Sequence, residues 1–222
     1  MADDDIHDLD EGFDGTAAGT LSHVPAGRQA MAQLEAYWRG LAGPDGVPYR
    51  RDLDATRIEP ALPHAFVLER VAAGIARFRT GGQLIQSHLG FDLKGMPVSL
   101  LFSAEGRKTF HTWLDRCFDG PALVDLPVAT RRFGFRSAAS GRFLLLPLRD
   151  QQGHVTRAVG GLFLDHSAQL GKVRFDLPDD APLRCEILRP ATGPVYAVAG
   201  DRRPKGLAEA QKPYLRLVVS NP

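Results

Sequence analysis

The chain has 222 residues, 44% of them apolar and 24% charged, with a formal net charge of +1. That size suits one core domain with decorated ends, or at most two small domains. No run approaches the ~20 consecutive apolar residues of a membrane-spanning helix, and no basic stretch followed by an apolar one opens the chain as in a secretory leader.

Charge is unevenly spread. Residues 1–27 hold seven acids (Asp3, Asp4, Asp5, Asp8, Asp10, Glu11 and Asp14) and no Lys or Arg, leaving 27 basic and 19 acidic residues in the remainder. Residues 1–27 therefore read as an acidic, disordered tail. Ile6, Leu9 and Phe13 would share one face if the tail became helical on a partner. The basic remainder is diffuse, with no basic stripe carrying stacking aromatics, so no nucleic-acid partner is expected. Cys117 and Cys185 are the only cysteines. Isolated and without CxxC spacing, they fit buried apolar roles in a reducing cytoplasm rather than a disulfide framework or a zinc site.

The first firm element is an amphipathic helix over residues 28–41. Ala30, Met31, Leu34, Tyr37, Trp38 and Leu41 recur at helical spacing, and Gly40, Gly43 and Pro44 stop it. Its apolar stripe must pack either on its own domain or on the same helix of a second subunit. Met31, Leu34 and Trp38 are the candidates for a homodimer contact. Ile58, Pro60, Leu62 and Pro63 predict a short helical turn. Ala65–Val71 and Gly74–Thr80 then form a hairpin around Ala72–Ala73.

A short helix is predicted over Gln83–Leu89, with Leu84, Ile85 and Leu89 as its apolar set. After the apolar segment Val98–Phe102, Ser103 is the N-cap candidate of a helix over Ala104–Phe118. In that helix Phe110, Trp113, Leu114, Cys117 and Phe118 make a core stripe. Three strands follow: Ala122–Arg132, Gly141–Arg149 and Val155–Leu164, the last two joined by a turn at Asp150–Gly153. Pro127 and Pro147 predict edge positions or bulges. Residues 172–189 are expected to add a strand or two, residues 190–206 to be a Pro/Gly-rich connector, and Tyr214–Val219 to be a terminal strand.

This order resembles a PAS domain. Several stretches are also similar to a family of short stand-alone PAS proteins found mainly in alphaproteobacteria. They are Tyr37-Trp38-Arg39-Gly40-Leu41, Ile58-Glu59-Pro60-Ala61-Leu62-Pro63-His64, Phe78-Arg79 with Leu84, Gly90 and Leu93-Lys94-Gly95, Leu144-Leu145-Leu146-Pro147-Leu148-Arg149, and Gly160-Gly161-Leu162. The resemblance implies an α+β fold: a five-stranded antiparallel sheet with helices on one face, preceded by the amphipathic N-terminal helix. The PAS-like domain with that helix would span residues 28–166. Residues 167–222 would be a C-terminal extension, partly β or irregular.

The resemblance also implies a cytoplasmic sensory or regulatory protein that acts by small-molecule sensing, by protein contacts, or by both, with a signalling protein as partner. No effector-domain signature accompanies the PAS pattern, and no GxSxG elbow, HExxH helix or phosphate loop occurs, so a non-enzymatic role is expected. No cofactor is required. If the fold encloses a cavity, Phe78, Leu84, Leu89, Phe102, Phe110, Leu114, Leu145 and Phe163 are the residues expected to line it; the bland alternative is that they fill a solid core.

Three other readings stand beside this one. His111 lies on the long helix roughly where haem-binding PAS proteins carry their proximal histidine, although it is about 100° from Phe110 around the helix. His88 is a second such candidate. A flavin photosensor is disfavoured because Cys117 has no Asn-Cys-Arg context. Arg132-Phe133-Gly134-Phe135-Arg136 with Asp165-His166-Ser167 and Gly171 resembles the cyclic-di-GMP-binding signature of PilZ domains, lengthened by one residue.

Overall fold

In the strand around Leu145, four consecutive apolar side chains from Phe143 to Leu146, with Leu148 beyond, are almost wholly inaccessible to water. Successive side chains of a strand point to opposite faces. A strand buried on both sides needs an apolar layer above it and another below, and the sequence supplies both. The computed structural model describes residues 26–43, 46–130, 139–165, 174–188 and the backbone of 197–199.

Along the chain come α1 (Ala26–Leu41), 3-10 turns at Arg50–Asp52 and Ala55–Ala61, β1 (Ala65–Ala72), β2 (Ile75–Gly81) and α2 (Gln83–Leu89). A 3-10 turn at Val98–Leu101, α3 (Ala104–Asp119), β3 (Ala122–Thr130), β4 (Ser140–Arg149) and β5 (Val155–Leu164) follow. Three short strands complete the list: β6 (Phe175–Asp176), β7 (Arg184–Ile187) and β8 (Ala197–Ala199). The sheet runs β2-β1-β5-β4-β3-β7-β8, with β6 also paired to β3, and every named pairing is antiparallel. The expected five strands are the segment β2-β1-β5-β4-β3. The extension lengthens that sheet at β3 instead of standing apart from it.

Side-chain parity divides the core. On one face, called inner here, Phe143 and Leu145 of β4, Val124 and Leu126 of β3 and Phe66 and Leu68 of β1 meet α2, the turn at Val98–Leu101 and α3. On the outer face, Leu144, Leu146 and Leu148 of β4, Val159 and Phe163 of β5 and Leu123 of β3 meet α1. Helices therefore lie on both faces, the three later ones inside and α1 outside. Of the two packing partners the sequence left open for the α1 stripe, the domain's own sheet is one it meets. Leu34 and Trp38 are fully covered there, Met31 partly, and the Trp38 indole donates to the Pro147 carbonyl at 3.0 Å.

The two strand prolines stand at no edge, since β3 and β4 are both internal strands; β4 does carry a register irregularity at Leu148/Arg149, just beyond Pro147. Thr130 donates its N–H to Ala139 across to β4, so even-numbered residues of β3 bond toward β4 and odd-numbered ones toward the other side. β7 pairs Ala122–Asp125 and β6 pairs Ala129–Thr130. Pro127 falls in the gap between them, where no ladder needs the N–H it lacks. Pro147 lies two residues beyond Leu145, the last β4 residue paired with β3.

Ser103 caps α3, its hydroxyl accepting from the Gly106 N–H at 3.1 Å. The same hydroxyl bonds Asp176 of β6. Ser103→Ala is expected to cost about 1 kcal/mol of unfolding free energy, read from chemical denaturation. No helix among the described residues is long and apolar enough to cross a membrane. The predicted terminal strand at residues 214–219, the 190–196 and 200–206 parts of the connector and the acidic segment up to residue 25 lie outside the described residues.

Candidate functional site

The space between α3, the preceding turn and the sheet is where the cavity candidates were expected to converge. Phe78, Leu89, Phe102, Phe110, Leu114 and Leu145 do come together there, all buried in one cluster. Phe102 stacks on Phe110 with centroids 4.1 Å apart, and both meet Phe143 edge-on at 5.3 and 5.5 Å. Phe66 stacks on Phe143 at 5.1 Å and meets Phe78 edge-on at 5.5 Å. Five rings thus touch in series from β2 to α3, in the offset and edge-to-face arrangements that aromatic pairs prefer.

Two candidates are corrected. Leu84 is 51% exposed. In a helix of seven residues, Ile85 and Leu89 at i and i+4 take the inward face, which turns Leu84 outward. Phe163 is buried on the opposite side of the sheet, against α1 with Leu144 and Val159. Phe66, Phe143 and Phe175 belong to the inner cluster and were missed. Phe66 could have been found from the alternation of its strand, whereas Phe143 sits in an apolar run without alternation.

The outer face is covered unevenly. No residue of β1 or β2 joins the cluster under α1. Parity places Val67, Glu69 and Val71 of β1 and Ile75, Arg77 and Arg79 of β2 on this side, with Arg157 of β5 beside them. Glu69 forms ion pairs with both Arg79 and Arg157. Val71 is 51% and Ile75 45% exposed. The β1–β2 half of the sheet therefore presents two aliphatic side chains beside a paired charge cluster.

The alternative readings have their residues elsewhere. His111 is exposed on α3, facing the β1–β2 turn: a β-carbon on Gly74 would lie 3.7 Å from its ring. That is a correction of the haem position, since an iron ligand would have to point inward. His88 rests against Phe175 with centroids 5.5 Å apart. Among the described residues, no group of three or more His, Cys, Asp or Glu is placed to hold a metal ion. Of the PilZ-like set, Arg132, Arg136, Ser167 and Gly171 lie outside the described residues. Asp165 accepts from Arg28 at 2.7 Å and from Ser140 at 2.8 Å, which ties α1 to the end of β5. Cys117 and Cys185 are buried free thiols, and burial pushes both pKa values up, away from reactive thiolate.

His64 stands immediately before β1. It is half-buried, its Nδ1 lies 3.3 Å from the Leu162 carbonyl, and its ring tilts against Phe163 at 5.4 Å. Burial lowers its pKa below the ordinary 6.5, and the Leu162 contact opposes this more weakly. The folded state then binds the proton less readily than the unfolded chain. Its contribution is complete above the ordinary value and is lost as pH falls through it toward the lower folded value. Between about pH 7.5 and pH 5.5, spanning the usual imidazole range, the Tm of His64→Gln is expected to fall less than that of the native chain.

The family model described as a PAS domain matches residues 27–163, more than half of the chain. The chain belongs to the PAS domain family. Its β2-β1-β5-β4-β3 sheet with the inner helices is the PAS core, and it is a PAS-type sensory domain. Among solved structures, a light-oxygen-voltage domain studied with a flavin analogue is similar at TM-score 0.38 and 15% identity, over 50% of this chain and 84% of that one. No curated protein matches significantly. The family match carries the assignment. β6, β7 and β8 lie beyond the matched PAS span.

Proposed function

We propose that this PAS domain is a cytoplasmic, non-enzymatic regulatory module that works through protein contacts, with the outer β1–β2 half-sheet as its contact face. The observation that carries this reading is the contrast between the two faces. Inside, five phenylalanine rings touch one another in series where six of the residues expected to line a cavity converge. Outside, Val71 and Ile75 stand exposed beside Glu69, Arg79 and Arg157, apolar area with a charged rim that suits an interface. The α1 residues first considered for a homodimer are committed to the domain's own sheet, so a second copy of the chain would also be met at the half-sheet.

The test is the double variant Val71→Glu/Ile75→Glu. It is expected to lose the signalling partner retrieved by the native chain, and any self-association seen by light scattering, with an unchanged Tm. Undiminished association would overturn the reading.

A second reading, small-molecule sensing, is favoured by the convergence of six predicted cavity residues on the inner cluster. A ligand would have to part the Phe102–Phe110 stack. Kinship with the short stand-alone alphaproteobacterial PAS proteins is the finer proposal. It rests on the Tyr37–Leu41, Ile58–His64 and Leu144–Arg149 stretches.

A further inference from the structure

The PAS match ends at residue 163, yet the sheet continues. β7 lines the edge of β3 in four antiparallel pairs from Ala122↔Ile187 to Asp125↔Arg184. Cys185 lies opposite Val124 and joins the inner cluster with it, so Arg184 and Glu186 face outward, toward α1.

There the charges alternate. Buried Arg142 of β4 donates through Nε to Asp125 Oδ1 at 2.7 Å, and through Nη1 to the Pro182 carbonyl at 2.7 Å. Asp125 Oδ2 lies 3.8 Å from Arg184 Nε. Arg184 pairs with Glu35 of α1. Glu35 accepts from Arg39 Nε at 3.0 Å, and Arg39 grips both carboxylate oxygens of Glu186 at 2.9 and 2.5 Å. The series Arg142–Asp125–Arg184–Glu35–Arg39–Glu186 therefore leaves β4, crosses β3 and β7, and returns from α1 to β7.

We propose that this series is a latch that couples the family's N-terminal helix to the added strand β7, so that opening either one loosens the other. β7 is four residues long, pairs with β3 at four positions and with the three-residue β8 at three, and follows directly on Pro182 and Leu183; so short a strand near the margin of the sheet opens below the global unfolding free energy. When it lifts, Arg39 loses Glu186, Glu35 loses Arg184, and Arg142 loses the Pro182 carbonyl. When α1 lifts, Arg184 and Glu186 lose their outward partners in the same step. The coupling is reciprocal, as linkage requires. A partner that binds the C-terminal segment thereby changes how firmly α1 covers the sheet.

The latch is tested by hydrogen–deuterium exchange on the full chain. Arg184→Ala, in β7, is expected to speed exchange of the α1 amides Tyr37–Leu41 about fivefold, and Arg39→Gln, in α1, to speed exchange of Arg184–Ile187 by a similar factor, the size of a partly buried ion pair. The β1–β2 hairpin should be unchanged in both. Raising NaCl from about 0.05 to about 1 M should loosen α1 and β7 of the native chain together by screening the exposed links. Exchange that changes only in the element carrying the substitution, with the other element unmoved, would overturn the proposal. If Arg184→Ala does not fold, Glu186→Gln gives the same reading on α1 with one link removed.

Discussion

Asp125→Ala is expected to lower the unfolding free energy by roughly 3–5 kcal/mol, the cost of leaving a buried charge without its counter-ion. Asp125 and Arg142 are 5% and 8% exposed in the middle of the sheet, and their carboxylate–guanidinium contact is 2.7 Å. The variant strands the Arg142 guanidinium between α1 and β7 with the Asp125 and Pro182 carbonyls as its remaining partners. Denaturant unfolding monitored by far-UV circular dichroism measures the loss. Removing both charges should behave differently. In Asp125→Leu/Arg142→Met, apolar side chains fill the site with no orphaned ion, and most of the lost stability should return. A double variant as unstable as the single one would show that the loss comes from shape and not from the unpaired charge.

Gly160→Ala is expected to cost about 3 kcal/mol, the upper part of the overpacking range. A β-carbon on Gly160 would lie 2.8 Å from the Phe66 ring and closer still to the Leu144 carbonyl of the neighbouring strand. The backbone of a central strand cannot move aside without breaking its ladders to β1 and β4. Phe66 cannot rotate away freely, because it is stacked on Phe143 and meets Phe78 edge-on. Trimming the ring in Gly160→Ala/Phe66→Leu should therefore relieve part of the strain, and the shift in thermal midpoint between the two variants measures it. Gly40, which has open space where a β-carbon would go, is the control: Gly40→Ala should be tolerated.

Much of this architecture was legible because local chemistry and tertiary packing agree. In α3, Ser103, Phe110, Leu114, Cys117 and Phe118 announced the cap and the buried face, and the structure uses them so. The α1 stripe was equally plain, but periodicity says that a face is buried, not what buries it. Leu34 and Trp38 were therefore readable as core residues and unreadable as dimer residues. Leu84 and Phe163 failed for different reasons. A seven-residue helix has room for one inward pair, and Ile85 with Leu89 is that pair. β5 is apolar on both faces over much of its length, so alternation could not tell which side Phe163 takes. Pro127 misled because the gap between β6 and β7 depends on strands far along the chain, Phe175–Asp176 and Arg184–Ile187. β7 carries Arg-Cys-Glu-Ile, an alternation only four residues long and too short to announce a strand by itself, and its place is fixed by β3 and α1. The ion series shares that origin: six charges that look scattered in sequence come together through non-local strand pairing.

The central claim is that the PAS interior is filled by the protein's own rings and that regulation is read from the outer surface. Native mass spectrometry of the freshly purified chain, recorded with its ultraviolet–visible spectrum, tests it most directly. The account predicts the mass of the polypeptide alone, or a whole multiple of it, and no absorbance beyond the aromatic band. A stoichiometric extra mass, or a visible chromophore that survives purification, would contradict it and place the function in the Phe102–Phe110 cluster.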